Sequence, residues 1–264
     1  DDLVLRPEGT AGIARAFVCE GLAQNIPLKV SYCGPMFRYE RPQKGRYRQF
    51  YQIGAELMGS DKPQADIEVI AMAQHLLEAL GLKDRIELQI HSMGDPESRA
   101  GYKQTLVSYL ESRKAELSND SQTRLEKNPL RILDSKDAKD RAIIKDAPKL
   151  LDALSGEAKD FFAEVCKGLD TLGIKYTINP YLVRGFDYYG HTVFEFVSNE
   201  LGAQGTVLGG GRYNGLVQEL GGPSTPSIGW GAGLERLAML TTNLPEETKP
   251  IAIVPLGEEA ETEA

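Results

Sequence analysis

The sequence predicts an α+β fold: an antiparallel β-sheet flanked by helices, with a helical insertion. Three observations carry this. Residues 28–58 read as a strand–turn–strand hairpin, which forces antiparallel pairing. The other strands do not alternate regularly with helices, as a doubly wound parallel sheet would require. Residues 96–174 are almost wholly helical in pattern and interrupt the strand-bearing segments on either side.

Taken in order, Ile13, Ala14, Phe17, Val18 and Leu22 fall at helical spacing and predict a short amphipathic helix within 11–24. Strands 28–38 and 47–58, rich in β-branched and aromatic residues, are joined by the polar turn Arg41-Pro42-Gln43-Lys44-Gly45. A helix over 64–80 is stopped by Gly81, and a strand follows at 86–90. Inside the insertion, Glu111, Arg113, Lys114 and Glu116 mark solvated faces, 129–133 reads as a short strand, and 134–146 is a run of mixed charge. Strands return at 176–180, 191–198, 203–209 and 226–232, with helices near 213–221 and 233–243. The expected organisation is a core in two parts, 1–95 and 175–246, separated by the insertion 96–174. Residues 247–264 read as a linker and the truncated start of another domain, its first strand at 251–255.

A chain of 264 residues, 41% hydrophobic and 26% charged, has the composition of a soluble globular protein with a sizeable core. No apolar run approaches the roughly 18 residues that span a bilayer, and no signal peptide is visible. The chain opens on Asp1-Asp2 without a Met and reads as a fragment. Cys19, Cys33 and Cys166 are scattered, and His75, His91 and His191 show no ligand spacing. Neither a disulfide framework nor a protein-held metal is expected, and a reducing, cytoplasmic setting fits. A net charge of −8 argues against bulk electrostatic binding to nucleic acid. Locally the balance reverses: Arg38, Arg41, Lys44, Arg46 and Arg48 crowd the hairpin against one acid, Glu40. That points to a local anionic ligand.

Two stretches carry chemistry. In the hairpin, strand alternation places Arg38 with Glu40 on one face and Tyr39 with Arg41 on the other; on the return, Arg46 pairs with Arg48 and Phe50 with Gln52. Guanidinium groups suit phosphates because their planar fork binds bidentately and stays charged. The second stretch, Gly229-Trp230-Gly231-Ala232-Gly233-Leu234-Glu235-Arg236, alternates glycines along a strand. This would bare one sheet face to a flat ligand and put Arg236 at the start of a helix. Its spacing is not a dinucleotide fingerprint, and no G-x-x-x-x-G-K-[ST] loop occurs. Taken singly, a charged exposed hairpin and a glycine bend explain these stretches equally well.

Together they resemble motifs 2 and 3 of class II aminoacyl-tRNA synthetases. Further segments narrow the likeness to histidyl-tRNA synthetases of bacterial type: Leu5-Arg6-Pro7-Glu8-Gly9-Thr10, Leu182-Val183-Arg184-Gly185-Phe186-Asp187-Tyr188-Tyr189, and Gly209-Gly210-Gly211-Arg212-Tyr213-Asn214-Gly215-Leu216. The resemblance spans nearly all of residues 5–243. It implies a ligase that activates L-histidine with ATP, Mg²⁺ accompanying the nucleotide, and transfers histidine to tRNA(His); the full-length protein would be a homodimer.

By the same resemblance, Arg38, Arg184 and Arg236 are the catalytic arginines. Arg38 and Arg184 flank the α-phosphate and also count among the histidine-binding residues, Arg38 through the histidine carboxylate, and Arg236 meets the γ-phosphate. Glu40, Arg46 and Phe50 would hold the rest of ATP. Glu8, Gly9 and Thr10 would receive the histidine α-amino group, and Gln52, Glu56, Tyr188, Tyr189 and Tyr213 would line the pocket and read the imidazole. Phe186 stands where the family more often has Leu, and Asn214 where it has Asp. Motif 1 and most of the anticodon-binding domain are absent from the sequence, so the isolated fragment is expected to be weakly active or inactive. The rival reading is the synthetase-like regulatory subunit of ATP phosphoribosyltransferase; the intact set Arg38, Glu40, Arg184 and Arg236 argues for the ligase.

Overall fold

The computed structural model describes residues 3–184, 186 and 188–242; Gly185, Asp187 and the expected linker and truncated domain at 247–264 lie outside these. Helix α1 (Thr10–Cys19) precedes the hairpin β1 (Leu28–Phe37) and β2 (Gln49–Met58), followed by α2 (Pro63–Ala79) and β3 (Glu87–Ser92). Then come α3 (Pro96–Glu111), α4 (Asn119–Lys127), α5 (Ala138–Lys145) and α6 (Gly156–Thr171). The chain returns to the sheet with β4 (Thr177–Ile178), β5 (Gly190–Val197) and β6 (Thr206–Arg212), then α7 (Leu216–Glu219), β7 (Ser227–Gly233) and α8 (Leu234–Leu240).

The strands form one seven-stranded sheet in the order β1-β2-β7-β6-β5-β3-β4. Every pairing is antiparallel except that of the two-residue β4 with β3, so the sheet is mixed at one edge.

Side-chain alternation gives this sheet two unlike faces. On one, Ala55 and Leu57 of β2, Ile228 and Trp230 of β7, Leu208 of β6 and Phe194 and Phe196 of β5 form the main core with Val69, Ile70, Ala73 and Leu77 of α2. On the other, strand register aligns Tyr32, Gly54, Gly231, Gly209, Glu195 and Gln89 in a row across six strands. Three neighbouring glycines thus floor a trough between Tyr32 and Glu195.

The helical stretch divides in two. Tyr102, Leu106 and Leu110 of α3, Leu125 of α4, and Ile143 and Ile144 of α5 close on one another and reach the sheet side through Met93, Tyr189 and Val193. By contrast Phe162, Val165 and Leu169 of α6 belong to the main core. The last helix of the 96–174 stretch therefore packs with the sheet.

Three expectations are corrected. The strand at 129–133 is a 3₁₀ turn, Pro129–Ile132: Pro129 has no N–H for a ladder, and Ile132 is buried among α3–α5 rather than beside a strand. The helix at 213–221 shrinks to α7, closed by Gly221 at φ 88°. The strand at 203–209 runs instead from Thr206 to Arg212: a 3₁₀ segment occupies Asn199–Gln204, and pairing with β7 continues to Arg212 opposite Ile228, with Gly210 so close that a Cβ there would lie 2.0 Å from the Gly229 carbonyl oxygen.

Candidate active site

A cavity of about 330 Å³ opens over the glycine row. Its walls come from the hairpin turn, the start of α1, the segment before β5 and the start of α8. Glu8, Thr10, Arg38, Glu40, Arg46, Phe50, Gln52, Arg184, Tyr188, Tyr189 and Arg236 all line it. Of the remaining expected residues, Glu56 and Tyr213 lie just behind the wall and Gly9 supports it.

The arginines are individually anchored. Arg38 donates from Nε to the Pro7 carbonyl (2.8 Å), with its guanidinium 4.9 Å from the Phe50 ring centre. Arg236 donates from Nε to the Gly45 carbonyl (2.8 Å) and from Nη1 to the Thr206 carbonyl (2.6 Å), tying the hairpin turn to the sheet. Arg184 pairs with Glu195, and its buried Nε meets no acceptor among the described residues. Burial lowers the pKa of Arg38, and that of Arg236 with Arg46 and Arg38 adding to it. For Arg184 burial is again the largest effect and acts the same way, but the charge and hydrogen bond of Glu195 together with Tyr189 outweigh it and the net shift is upward. Arg38, Arg184 and Arg236 thus share one partly desolvated cavity with carboxylates, Glu40, Glu195 and Glu235 among them, a lining that can meet both an anion and its counter-ion.

The opposite wall is a buried hydrogen-bonded cluster. The Thr10 hydroxyl donates to Glu56 Oε1 and the Tyr213 hydroxyl to Glu56 Oε2, both at 2.7 Å. Burial pushes the Glu56 carboxyl up to about 8, although both hydrogen bonds oppose the shift. Glu8 accepts from the backbone N–H groups of Thr10 (2.6 Å) and Ala11 (2.8 Å), so its carboxylate holds the first turn of α1. Phe186 stacks on Tyr188 at a centroid separation of 5.3 Å, Tyr189 lies against Tyr188 at 4.6 Å with its ring tilted by 49°, and Tyr188 meets Tyr213 edge-on at 5.8 Å.

The glycines prove to make room for these side chains. A Cβ on Gly229 would fall 1.6 Å from Glu56 Oε2, and one on Gly231 would lie 2.6 Å from Gln52 Nε2. Only part of the bare face expected for a flat ligand is therefore free; protein side chains fill the rest. Gly9 has a similar reason, since its Cβ would meet the Tyr32 ring at 2.2 Å.

One expected pairing does not form. Arg48 does not join Arg46 at the cavity; its guanidinium lies 4.6 Å from the ring centre of exposed Tyr39. The regular strand begins only at Gln49, so alternation does not extend back through the turn. Arg46 instead pairs with Glu40. Asn214 also lies away from the cavity, its Oδ1 3.4 Å from Nη1 of buried Arg212.

Several wall residues escaped the sequence reading, Tyr32, Glu195 and Glu235 among them. Tyr32 donates to Gln52 Oε1 at 3.3 Å, and burial drives its phenol pKa upward. Glu195 anchors Arg184 and accepts from the Thr206 hydroxyl at 2.8 Å. A signal for Glu195 existed: it is the lone acid between Phe194 and Phe196 in an apolar strand. Among the described residues no group of three His, Cys, Asp or Glu side chains could hold a metal.

The sequence matches the histidyl-tRNA synthetase family profile over residues 1–237. The chain belongs to the histidyl-tRNA synthetase family. The histidine–tRNA ligase of Rhodospirillum rubrum is 57% identical over 265 residues, covering 100% of this chain and 64% of the relative. That of Thermosynechococcus vestitus is 58% identical over 244 residues, covering 92% of this chain and 57% of the relative. Among solved structures, apo histidyl-tRNA synthetase of S. aureus superposes with a TM-score of 0.75 at 38% identity, covering 98% of this chain and 64% of that one. An ATP phosphoribosyltransferase regulatory subunit/histidyl-tRNA synthetase from Bacillus halodurans shares the fold, with a TM-score of 0.59 at 23% identity over 90% of this chain and 65% of that one. The chain spans less than two thirds of the length of each of these relatives.

Proposed function

We propose that this chain is the amino-acid-activating part of a histidine–tRNA ligase. It would join L-histidine to ATP, giving histidyl-adenylate and pyrophosphate, and then pass the histidine to tRNA(His). The observation that carries this is the convergence of Arg38, Arg184 and Arg236 on one cavity whose far wall is the Thr10–Glu56–Tyr213 cluster.

In the proposed reaction a histidine carboxylate oxygen attacks the α-phosphorus in line. A new P–O bond forms, and the bond to the pyrophosphate oxygen breaks with its electron pair leaving on pyrophosphate. The attacking carboxylate is already ionised, so no general base is needed. The demand is for stabilising charge on the phosphoryl oxygens, which fixed guanidinium groups supply in a partly desolvated site. Arg38 and Arg184 flank the α-phosphate, while Arg236, Glu40, Arg46 and Phe50 take the outer phosphates and base. Mg²⁺ would arrive with ATP and shield the outer phosphates. Among the lining carboxylates Glu40 and Glu195 are paired with arginines, whereas Glu235 accepts from the Tyr51 N–H at 2.8 Å, and its charge suits such a counter-ion.

Selectivity would rest on Glu56, Tyr213 and Gln52, with Tyr188 and Tyr189 closing the pocket. Buried polar groups left unpaired by an apolar competitor reject it strongly. The α-amino group would go to Glu8 and Thr10, with Gly9 giving the backbone room.

A regulatory subunit of ATP phosphoribosyltransferase is the second reading. Relatives at 57% and 58% identity are ligases, and a non-catalytic paralogue has no need of all three arginines, so the ligase is favoured. Among the described residues no helix is long and apolar enough to cross a membrane, and a cytoplasmic enzyme, homodimeric at full length, is the setting proposed. Histidine-dependent exchange of pyrophosphate into ATP by the full-length parent tests the proposal. No exchange with histidine would sink it.

A further inference from the structure

Thr206, the first residue of β6, stands between two of the cavity's arginines. Its hydroxyl donates to Glu195 Oε2 at 2.8 Å, while Glu195 Oε1 takes Arg184 Nη1. Its carbonyl accepts from Arg236 Nη1 at 2.6 Å, and Arg236 Nε donates to the Gly45 carbonyl of the hairpin turn at 2.8 Å. A chain of hydrogen bonds therefore runs from the turn through α8, β6 and β5 to Arg184, and no link in it joins neighbours in sequence.

Each link restricts the next. The terminal torsion of a glutamate is broad, but Glu195 has a partner on both oxygens, so the Thr206 hydroxyl fixes the rotation of the carboxylate that aims Arg184. Threonine suits the position because β-branching leaves its side chain few rotamers on a strand. The Arg184 and Glu195 side chains are only 18% and 16% exposed, so their geometry counts for more than that of a solvated surface pair. The same carboxylate also acts on the second arginine. Burial, Arg46 and Arg38 lower the Arg236 pKa, and the charges of Glu40 and Glu195 oppose them.

We propose that Thr206 is a positioning residue: through its hydroxyl and its carbonyl it holds Arg184 and Arg236 in fixed relation, so that the two grip one polyphosphate together. The inference rests on the ligase reading for the identity of that ligand, ATP, and for the roles of the two arginines.

Thr206→Val keeps the branched shape and the carbonyl and removes only the hydroxyl, whereas Thr206→Ser keeps the hydroxyl. In the full-length parent these are compared with Glu195→Gln and with the Thr206→Val/Glu195→Gln double variant, by equilibrium binding of ATP and by histidine-dependent pyrophosphate exchange. Thr206→Val should lower exchange turnover about tenfold and weaken ATP about threefold, the scale of one hydrogen bond to a charged group, with KM for histidine unchanged. Thr206→Ser should recover most of both losses. Because the hydroxyl acts only through Glu195, Thr206→Val should add nothing to Glu195→Gln. Three results overturn the proposal: parent-like behaviour of Thr206→Val, a loss that Thr206→Ser does not recover, or a loss that adds in full to that of Glu195→Gln. Absence of exchange in the unsubstituted parent would remove the ligase reading by itself, and the ATP affinities of the same proteins would still decide whether Thr206 positions the arginines.

Discussion

The guanidinium of Arg184 lies over Gly209, in space that a side chain there would take: a Cβ on Gly209 would come within 2.8 Å of Arg184 Nη1. Glu195, the register partner of Gly209 on β5, grips that same nitrogen. Gly209→Ala must push the guanidinium away from the trough by a few tenths of an ångström or more. Misplacement on the scale of 1 Å costs on the order of 100-fold in a positioned reaction. We expect adenylate formation to fall by about that factor, with histidine affinity little changed. Single-turnover kinetics of the full-length variant decide it; an unchanged rate would show that Arg184 does not act from this position.

Arg184→Ala should be more severe. It removes a charge that the proposed mechanism needs only as negative charge builds on the phosphoryl oxygens, so the activation rate should collapse while histidine binding persists. Equilibrium binding of histidine and pyrophosphate exchange, measured side by side, separate the two effects. Equal loss of both would place Arg184 in substrate binding rather than in catalysis.

How far this site is legible in the sequence depends on whether a residue's neighbours are local. Arg38, Glu40 and Phe50 are legible because a hairpin turn brings them together within a dozen positions. The glycine alternation at 229–233 is legible as a bare sheet face, but its occupants are not. Glu56 lies over Gly229 and Gln52 over Gly231 because strands far apart in sequence pair in one particular register. Tyr32 is hidden for the same reason: its role comes from lying opposite Gly54, a relation that exists only once β1 and β2 are paired. The turn at 129–132 shows the converse. Its apolar spacing suits a short strand locally, and only the absence of a neighbouring strand there, with Ile132 taken into the α3–α5 cluster, decides against it.

Glu56 gives a pH test with a definite sign. Burial raises its folded pKa from the ordinary 4.5 to about 8. Between these values the folded chain holds a proton that the unfolded chain has released, so stability falls as pH rises through the window. One proton corresponds to a slope of about 1.4 kcal/mol per pH unit. Glu56→Gln keeps the shape, cannot ionise, and should abolish that component. Urea midpoints of the parent and variant should therefore diverge progressively from about pH 5 to about pH 8, the parent losing ground. Parallel curves would mean that Glu56 is already ionised in the folded protein.

The face away from the cavity supplies the last prediction. Arg212 and Asp66 are both fully buried and pair at 2.6 Å, and the Arg212 Nη1 also donates to the Ser60 carbonyl at 2.7 Å. The Thr192 hydroxyl donates to the same carboxylate at 2.7 Å, so three segments meet at Asp66. Burial raises the Asp66 pKa against the opposing pull of Arg212. Arg212→Met leaves the carboxylate buried without its cation and should destabilise the chain by about 3–5 kcal/mol, whereas adding Asp66→Leu should recover much of that loss because both charges are then gone. Tyr213 follows Arg212 directly and reaches Glu56 across the sheet. The double variant should therefore fold yet bind histidine less well, since an apolar contact cannot fix the end of β6 as directed hydrogen bonds do. Full recovery of both stability and histidine affinity would show that the pair has no part in setting the pocket.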